Sequence, residues 1–226
     1  PAIVALHGCG GMLNPQGAPN LRTFAYAKLL NAQGWHVLFV DSLTARGVKS
    51  VCGGNSQVTQ AQRVTDVQAA VAFLAKREDV DDSRIGVLGW SHGGSTALLS
   101  SDTSVDYAVT PRAVVAFYPG CGEAKGKRMT WHPARPVLMQ LGAADDWTSP
   151  IPCQSLAAQW KDLVHQDTYA NANHNQCAVL SAAVTTIEEP TGSPAALTAV
   201  TPWPGRSAGR RMFCRRNPRF ATASAR

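Results

Sequence analysis

The 226-residue chain contains no run of about 18 apolar residues, so no membrane-spanning helix is expected. None of its six cysteines forms a CxxC pair, which disfavours a zinc site, and neither a metal nor any other cofactor is expected. No charged, then apolar, leader opens the sequence. It begins at Pro1 directly in Ala2, Ile3, Val4, Ala5 and Leu6, a run that reads as a buried strand rather than a natural amino terminus, and a segment upstream of it is expected to have been lost. A broadly basic surface is also missing. The net charge is +6, but residues 1–176 hold fourteen Lys or Arg against thirteen Asp or Glu. Residues 177–226 hold seven Arg against only Glu188 and Glu189. The nearly neutral body therefore gives no reason to expect a nucleic-acid or membrane-surface partner.

What is present suits one globular domain: 45% hydrophobic residues and six Trp in a chain long enough to bury a sizeable core. Short β-branched or apolar runs alternate with longer amphipathic stretches, the pattern of a mostly parallel sheet with helices on both faces. The expected strands are Ile3 to Leu6, Val37 to Val40, Ile85 to Leu88, Ala113 to Phe117, Val137 to Leu141 and Thr168 to Ala170. Helices are expected at Leu21 to Asn31, Val58 to Arg77, Ser91 to Ser101 and Ser155 to Val164. Past residue 176 the periodicity stops. Pro190, Pro194, Pro202, Pro204 and Pro218 interrupt the chain, and the Arg-rich run from Arg206 to Arg219 has no apolar face. The chain thus divides into a folded domain, 1–176, and a Pro/Arg-rich tail, 177–226, expected to be loosely ordered. In the expected strand order Cys9 and Cys52 follow neighbouring strands, as do Cys121 and Cys153. Two disulfides in an exported protein and four buried thiols are both compatible with that placement.

Gly89, Trp90, Ser91, His92 and Gly93 form a GxSxG pattern, weak alone but informative between a strand and a helix. A strand-to-helix turn with glycines on either side strains the central serine and exposes its Oγ as a nucleophile. A serine hydroxyl needs an imidazole to take its proton and a carboxylate to orient that imidazole. Downstream, Asp145 and Asp146 follow the strand Val137 to Leu141; Asp145 is favoured and Asp146 is expected to face solvent. His174, after the last strand, is the candidate base. His165 is expected as a helix cap, His132 precedes the acid, and His7 and His36 sit at a strand end and a strand start. The backbone N–H groups of His92 and of Cys9, with Gly10 as the alternative to Cys9, are the candidate oxyanion donors. Trp90, Tyr118 and Trp147 are candidates to line an acyl pocket or, equally, to fill the core.

The runs ALHGCGG at 5–11, GWSHGG at 89–94, FYPGCG at 117–122, LGAADDW at 141–147 and the Tyr-x-x-Ala-x-His arrangement ending at His174 resemble the dienelactone hydrolase family of α/β-hydrolases. The resemblance spans roughly residues 1–176. It implies an α/β-hydrolase fold, here lacking the first strands, and it places the family's Gly-x-x-Asp acid on Asp145. Narrow-sense members carry a cysteine nucleophile and a nearby glutamate. This chain has Ser91 and no Glu in the first-strand loop, which points away from dienelactones and toward small carboxylic esters or lactones in general. A serine peptidase of the same fold and a non-catalytic fragment are the alternative readings. The family's closing helix is not recognisable after His174.

Overall fold

The computed structural model describes residues 1–53, 57–122 and 130–174. Six strands, β1 (Ala2–Leu6), β2 (His36–Val40), β3 (Ile85–Trp90), β4 (Val114–Phe117), β5 (Val137–Gly142) and β6 (Val164–Tyr169), form one sheet in the order β2-β1-β3-β4-β5-β6. Every pairing is parallel. Four helices connect them: α1 (Leu21–Asn31), α2 (Gln60–Ala75), α3 (His92–Ser100) and α4 (Pro150–Gln159).

Period-2 alternation of side chains divides the core into two layers. Val4 and Leu6 of β1, Ile85 and Val87 of β3 and Val137 and Met139 of β5 face α2, α3 and α4. Ile3 and Ala5, Leu88 and Trp90, and Val115 and Phe117 face Tyr26 and Leu30 of α1. Strands covered on both sides must be apolar throughout, so β1, β3, β4 and β5 are buried along their whole length. The helix starts are written locally. The Asn20 side chain accepts from the Thr23 N–H at the head of α1, Thr59 and Gln62 make a reciprocal capping box for α2, and Pro150 opens α4.

Two expected elements are displaced. The last helix is Pro150–Gln159, not Ser155 to Val164; it starts on the Ser149-Pro150 signal and ends before Trp160. The last strand is Val164–Tyr169, not Thr168 to Ala170. Among the described residues it pairs only with β5, and His165 to Thr168 are exposed, so its polar sequence hides it from a search for apolar runs. The expected tail, 177–226, lies outside the described residues. No helix among the described residues is long and apolar enough to cross a membrane.

Candidate active site

The carboxyl ends of β1, β3, β5 and β6 carry the sequence-predicted site. Ser91 forms the single-residue turn between β3 and α3, at φ 53° and ψ −117°, a conformation a non-glycine residue adopts only when its surroundings impose it. Those surroundings are backbone. A Cβ on Gly89 would lie 2.1 Å from the Gly93 carbonyl oxygen, and a Cβ on Gly93 would lie 2.3 Å from that of Leu6. The elbow can press against β1 and its own helix only because both residues lack side chains.

His174 sits in the turn beyond β6, with its side chain 4% exposed, and points back across the sheet. Its Nε2 lies 2.9 Å from the Ser91 Oγ. Its Nδ1 lies 2.9 Å and 3.1 Å from the two Asp145 carboxylate oxygens. A carboxylate accepts and cannot donate, so Nδ1 carries the proton and Nε2 is left to accept from the serine hydroxyl. The turn is seated by the Ala144 N–H, which donates to the Ala172 carbonyl at 3.0 Å, and by Gly142, where a Cβ would lie 2.3 Å from that same oxygen.

Asp145 is buried, its side chain 1% exposed, while Asp146 is exposed. Burial alone would raise the Asp145 pKa. Hydrogen bonds from the Thr148 amide, His174, the Trp147 amide and the Thr148 hydroxyl outweigh it and hold the carboxyl below its ordinary value. The Thr148 Oγ1 also lies 3.1 Å from His174 Nδ1 and 3.2 Å from the Tyr118 carbonyl oxygen, the alternative acceptor for its one proton. Around the imidazole, Trp147 stacks with an interplanar angle of 17° while remaining 67% exposed, and Tyr118 meets it edge-on. Trp90 does not join them. It is 3% exposed and packed between Tyr26 and Phe117, so it fills the core.

The loop after β1 runs beside the elbow; a Cβ on Gly8 would lie 3.7 Å from that of Ser91. The N–H groups of Cys9 and His92 make no hydrogen bond to another described residue. A disulfide joins Cys9 to Cys52, and the Val51 N–H donates to the Cys9 carbonyl at 2.9 Å, so this glycine-rich loop is tied down from outside. A second disulfide, Cys121–Cys153, ties the segment after β4 to α4. Buried His7 donates from Nδ1 to the Gly8 carbonyl and accepts from the Ser42 N–H at Nε2. Burial, then the Arg63 charge, lower its pKa to about 4, so it is neutral. Arg63 reaches under the loop and donates to the His7 carbonyl and to His92 Nδ1, each at 2.8 Å.

The rival histidines are elsewhere. His165 is an exposed residue inside β6 rather than a helix cap, His132 packs against Trp160, and His36 starts β2. Among the described residues no group of three His, Cys, Asp or Glu could hold a metal. Sequence reasoning missed Thr148, Gly142 as the seat of the His174 turn, and Arg63. Thr148 carries a signal, since a threonine three residues after an aspartate closes a side-chain-capped turn. Arg63 carries none, because it sits beside the apolar stripe Val64, Val67 and Val71 and reads as a solvated helix residue.

The family model for the dienelactone hydrolase family matches residues 30–178. No curated protein matches. Among solved structures, a Klebsiella pneumoniae protein named as a dienelactone hydrolase superposes with a TM-score of 0.60 at 17% identity, covering 77% of this chain and 75% of that one. A thermophilic esterase of Thermogutta terrifontis with propionate bound gives 0.55 at 17% identity, over 77% and 73%. Est1E of Butyrivibrio proteoclasticus gives 0.55 at 16% identity, over 78% and 81%.

Proposed function

The chain belongs to the dienelactone hydrolase family, and on that premise we propose that it hydrolyses small carboxylic esters or lactones through an acyl-enzyme on Ser91. The observation that carries this reading is the unbroken line from Ser91 Oγ through His174 to Asp145, with a 2.9 Å contact at each end of the imidazole. His174 Nε2 takes the hydroxyl proton as Oγ bonds to the acyl carbon, and the carbonyl oxygen becomes an oxyanion facing the Cys9 and His92 N–H groups. Gly10 is the alternative to Cys9. Asp145 stays ionised and stabilises the imidazolium. The imidazolium then protonates the leaving alkoxide, and a water deprotonated by the same nitrogen attacks the acyl-enzyme and frees Ser91.

Tyr118 and Trp147 flank the imidazole and are proposed to contact the substrate beside it. The Thermogutta esterase holds propionate, which makes short acyl chains the first to try. Residues 1–176 are proposed as the catalytic unit. The two disulfides favour an oxidising, exported setting.

A fluorophosphonate probe and p-nitrophenyl acetate test the reading together. The protein should label on Ser91 and release nitrophenolate, whereas Ser91→Ala should lose labelling and at least about a thousandfold in kcat with the melting temperature little changed. A folded protein that neither labels nor turns over overturns it.

A further inference from the structure

The reaction written above leaves unused the most completely buried cation among the described residues. Arg63, in the first turn of α2, has no exposed surface, and no carboxylate lies within ion-pair distance of it among the described residues. Burial lowers its pKa to about 10, which still leaves it charged at neutral pH. A buried, unpaired charge is costly, on the order of several kcal/mol, so its position calls for a compensating role. Its two terminal nitrogens reach two different walls of one small space. One donates to the His7 carbonyl, whose peptide unit contains the Gly8 N–H; the other donates to the His92 ring at Nδ1.

Those two residues lead directly into the two candidate oxyanion donors. The His7–Gly8 peptide immediately precedes Cys9, in a loop whose glycines supply no side chains to brace it. His92 supplies the second N–H itself. The His92 ring is neutral, its pKa lowered to about 4 by burial and then by the Arg63 charge, so it accepts from the guanidinium rather than repelling it. Lysine could not serve both walls, because an ammonium is a point donor and lacks the planar fork.

We infer that Arg63 is a positioning residue for ester hydrolysis: its guanidinium clamps the His7–Gly8 peptide and the His92 ring so that the Cys9 and His92 N–H groups converge on the oxyanion. The negative charge that develops there adds to the attraction that Asp66 and Asp41 already exert on this buried cation. The inference rests on Ser91 acting as the nucleophile. It predicts that the guanidinium matters more in the transition state than in the bound substrate, so its loss falls on kcat.

Arg63→Met and Arg63→Lys, each assayed with p-nitrophenyl acetate and with phenylboronic acid, test it. Boronic acid adds to a serine as an anionic tetrahedral adduct and so reports on the oxyanion site itself. Both variants should lose roughly 10- to 100-fold in kcat, with KM within about threefold of wild type, and should bind the boronic acid weaker by a similar factor. His92→Ala provides a second route if the Arg63 variants fail to fold. It keeps the backbone N–H, frees one end of the clamp, and should lose about tenfold in kcat. Unchanged kcat in folded Arg63 variants, a loss confined to KM, or unchanged kcat in folded His92→Ala each overturns the inference while leaving Ser91 catalysis intact. A wild-type protein that neither labels with fluorophosphonate nor turns over the ester instead removes the hydrolase reading on which the inference stands.

Discussion

Ser91 leaves the middle of the sheet and His174 leaves its edge, and the two are held by different forces. The serine follows β3, a strand paired on both sides and buried at every residue, and its strained turn is enforced by backbone packed to within a methyl group's reach. The histidine follows β6, which has one neighbour among the described residues and four consecutive exposed residues. Its turn carries Asn171 at φ 63° and is held by the Ala144–Ala172 hydrogen bond, the closeness of Gly142, and the carboxylate of Asp145. Excluded volume within the buried sheet fixes Ser91, while satisfied polar groups and one close approach at an exposed edge fix His174. A lock in the buried middle fails by unfolding. An alignment at the edge fails by losing rate.

The contrast is broken most directly by adding one methyl group on each side. Gly93→Ala should push against the Leu6 carbonyl and cost at least about 4 kcal/mol, seen as a melting temperature lower by about 10 °C or as failure to fold. Acid sharpens the same side, because His7 and His92 both lie around the elbow. Their folded pKa values, about 4, are below the ordinary histidine value of 6.5. Between those limits the unfolded chain binds protons that the folded one refuses, so stability should fall as the pH drops from 6.5 to about 4. The loss from buried His7 alone is roughly 3 kcal/mol. Urea midpoints that stay level across this range would contradict it. Gly142→Ala probes the other side. The protein should remain folded, yet the displaced His174 turn should lower kcat about 100-fold; unfolding to the extent of Gly93→Ala would erase the distinction between the two sides. Thr148→Val should cost about tenfold in kcat, since Asp145 keeps its two amide donors and loses only the hydroxyl. His165→Ala, on the exposed strand, should leave the rate within a few-fold.

The same division governs what could be read in advance. The elbow was legible because the physics that holds it is local: glycines on either side of a serine, after an apolar strand and before a helix. The bounds of α1 also agree with expectation, for its Asn20 cap and the glycine beyond its end are written in sequence. The base side was legible only in part. Gly-x-x-Asp pointed to Asp145, and chain order pointed to His174. The strand beneath His174 lies earlier than its sequence suggests, because an edge strand has no need of apolar residues and α4 starts five residues before Ser155. Trp90 shows a further limit. The sequence leaves pocket lining and core filling equally open for it; successive residues of a strand point to opposite faces, and Trp90 turns toward α1. Arg63 joins residues more than fifty positions away in the loop after β1 and nearly thirty away in α3, and no local pattern encodes that reach.

The edge position of β6 also orders events in time. A chain made from its amino end presents β1, α3 and the serine hydroxyl while the last strand is still to come. Before that strand docks against β5, His174 is not held beside the Ser91 hydroxyl, and a serine without a proton acceptor is a feeble nucleophile. On the proposed mechanism, competence therefore depends on the closing of the sheet.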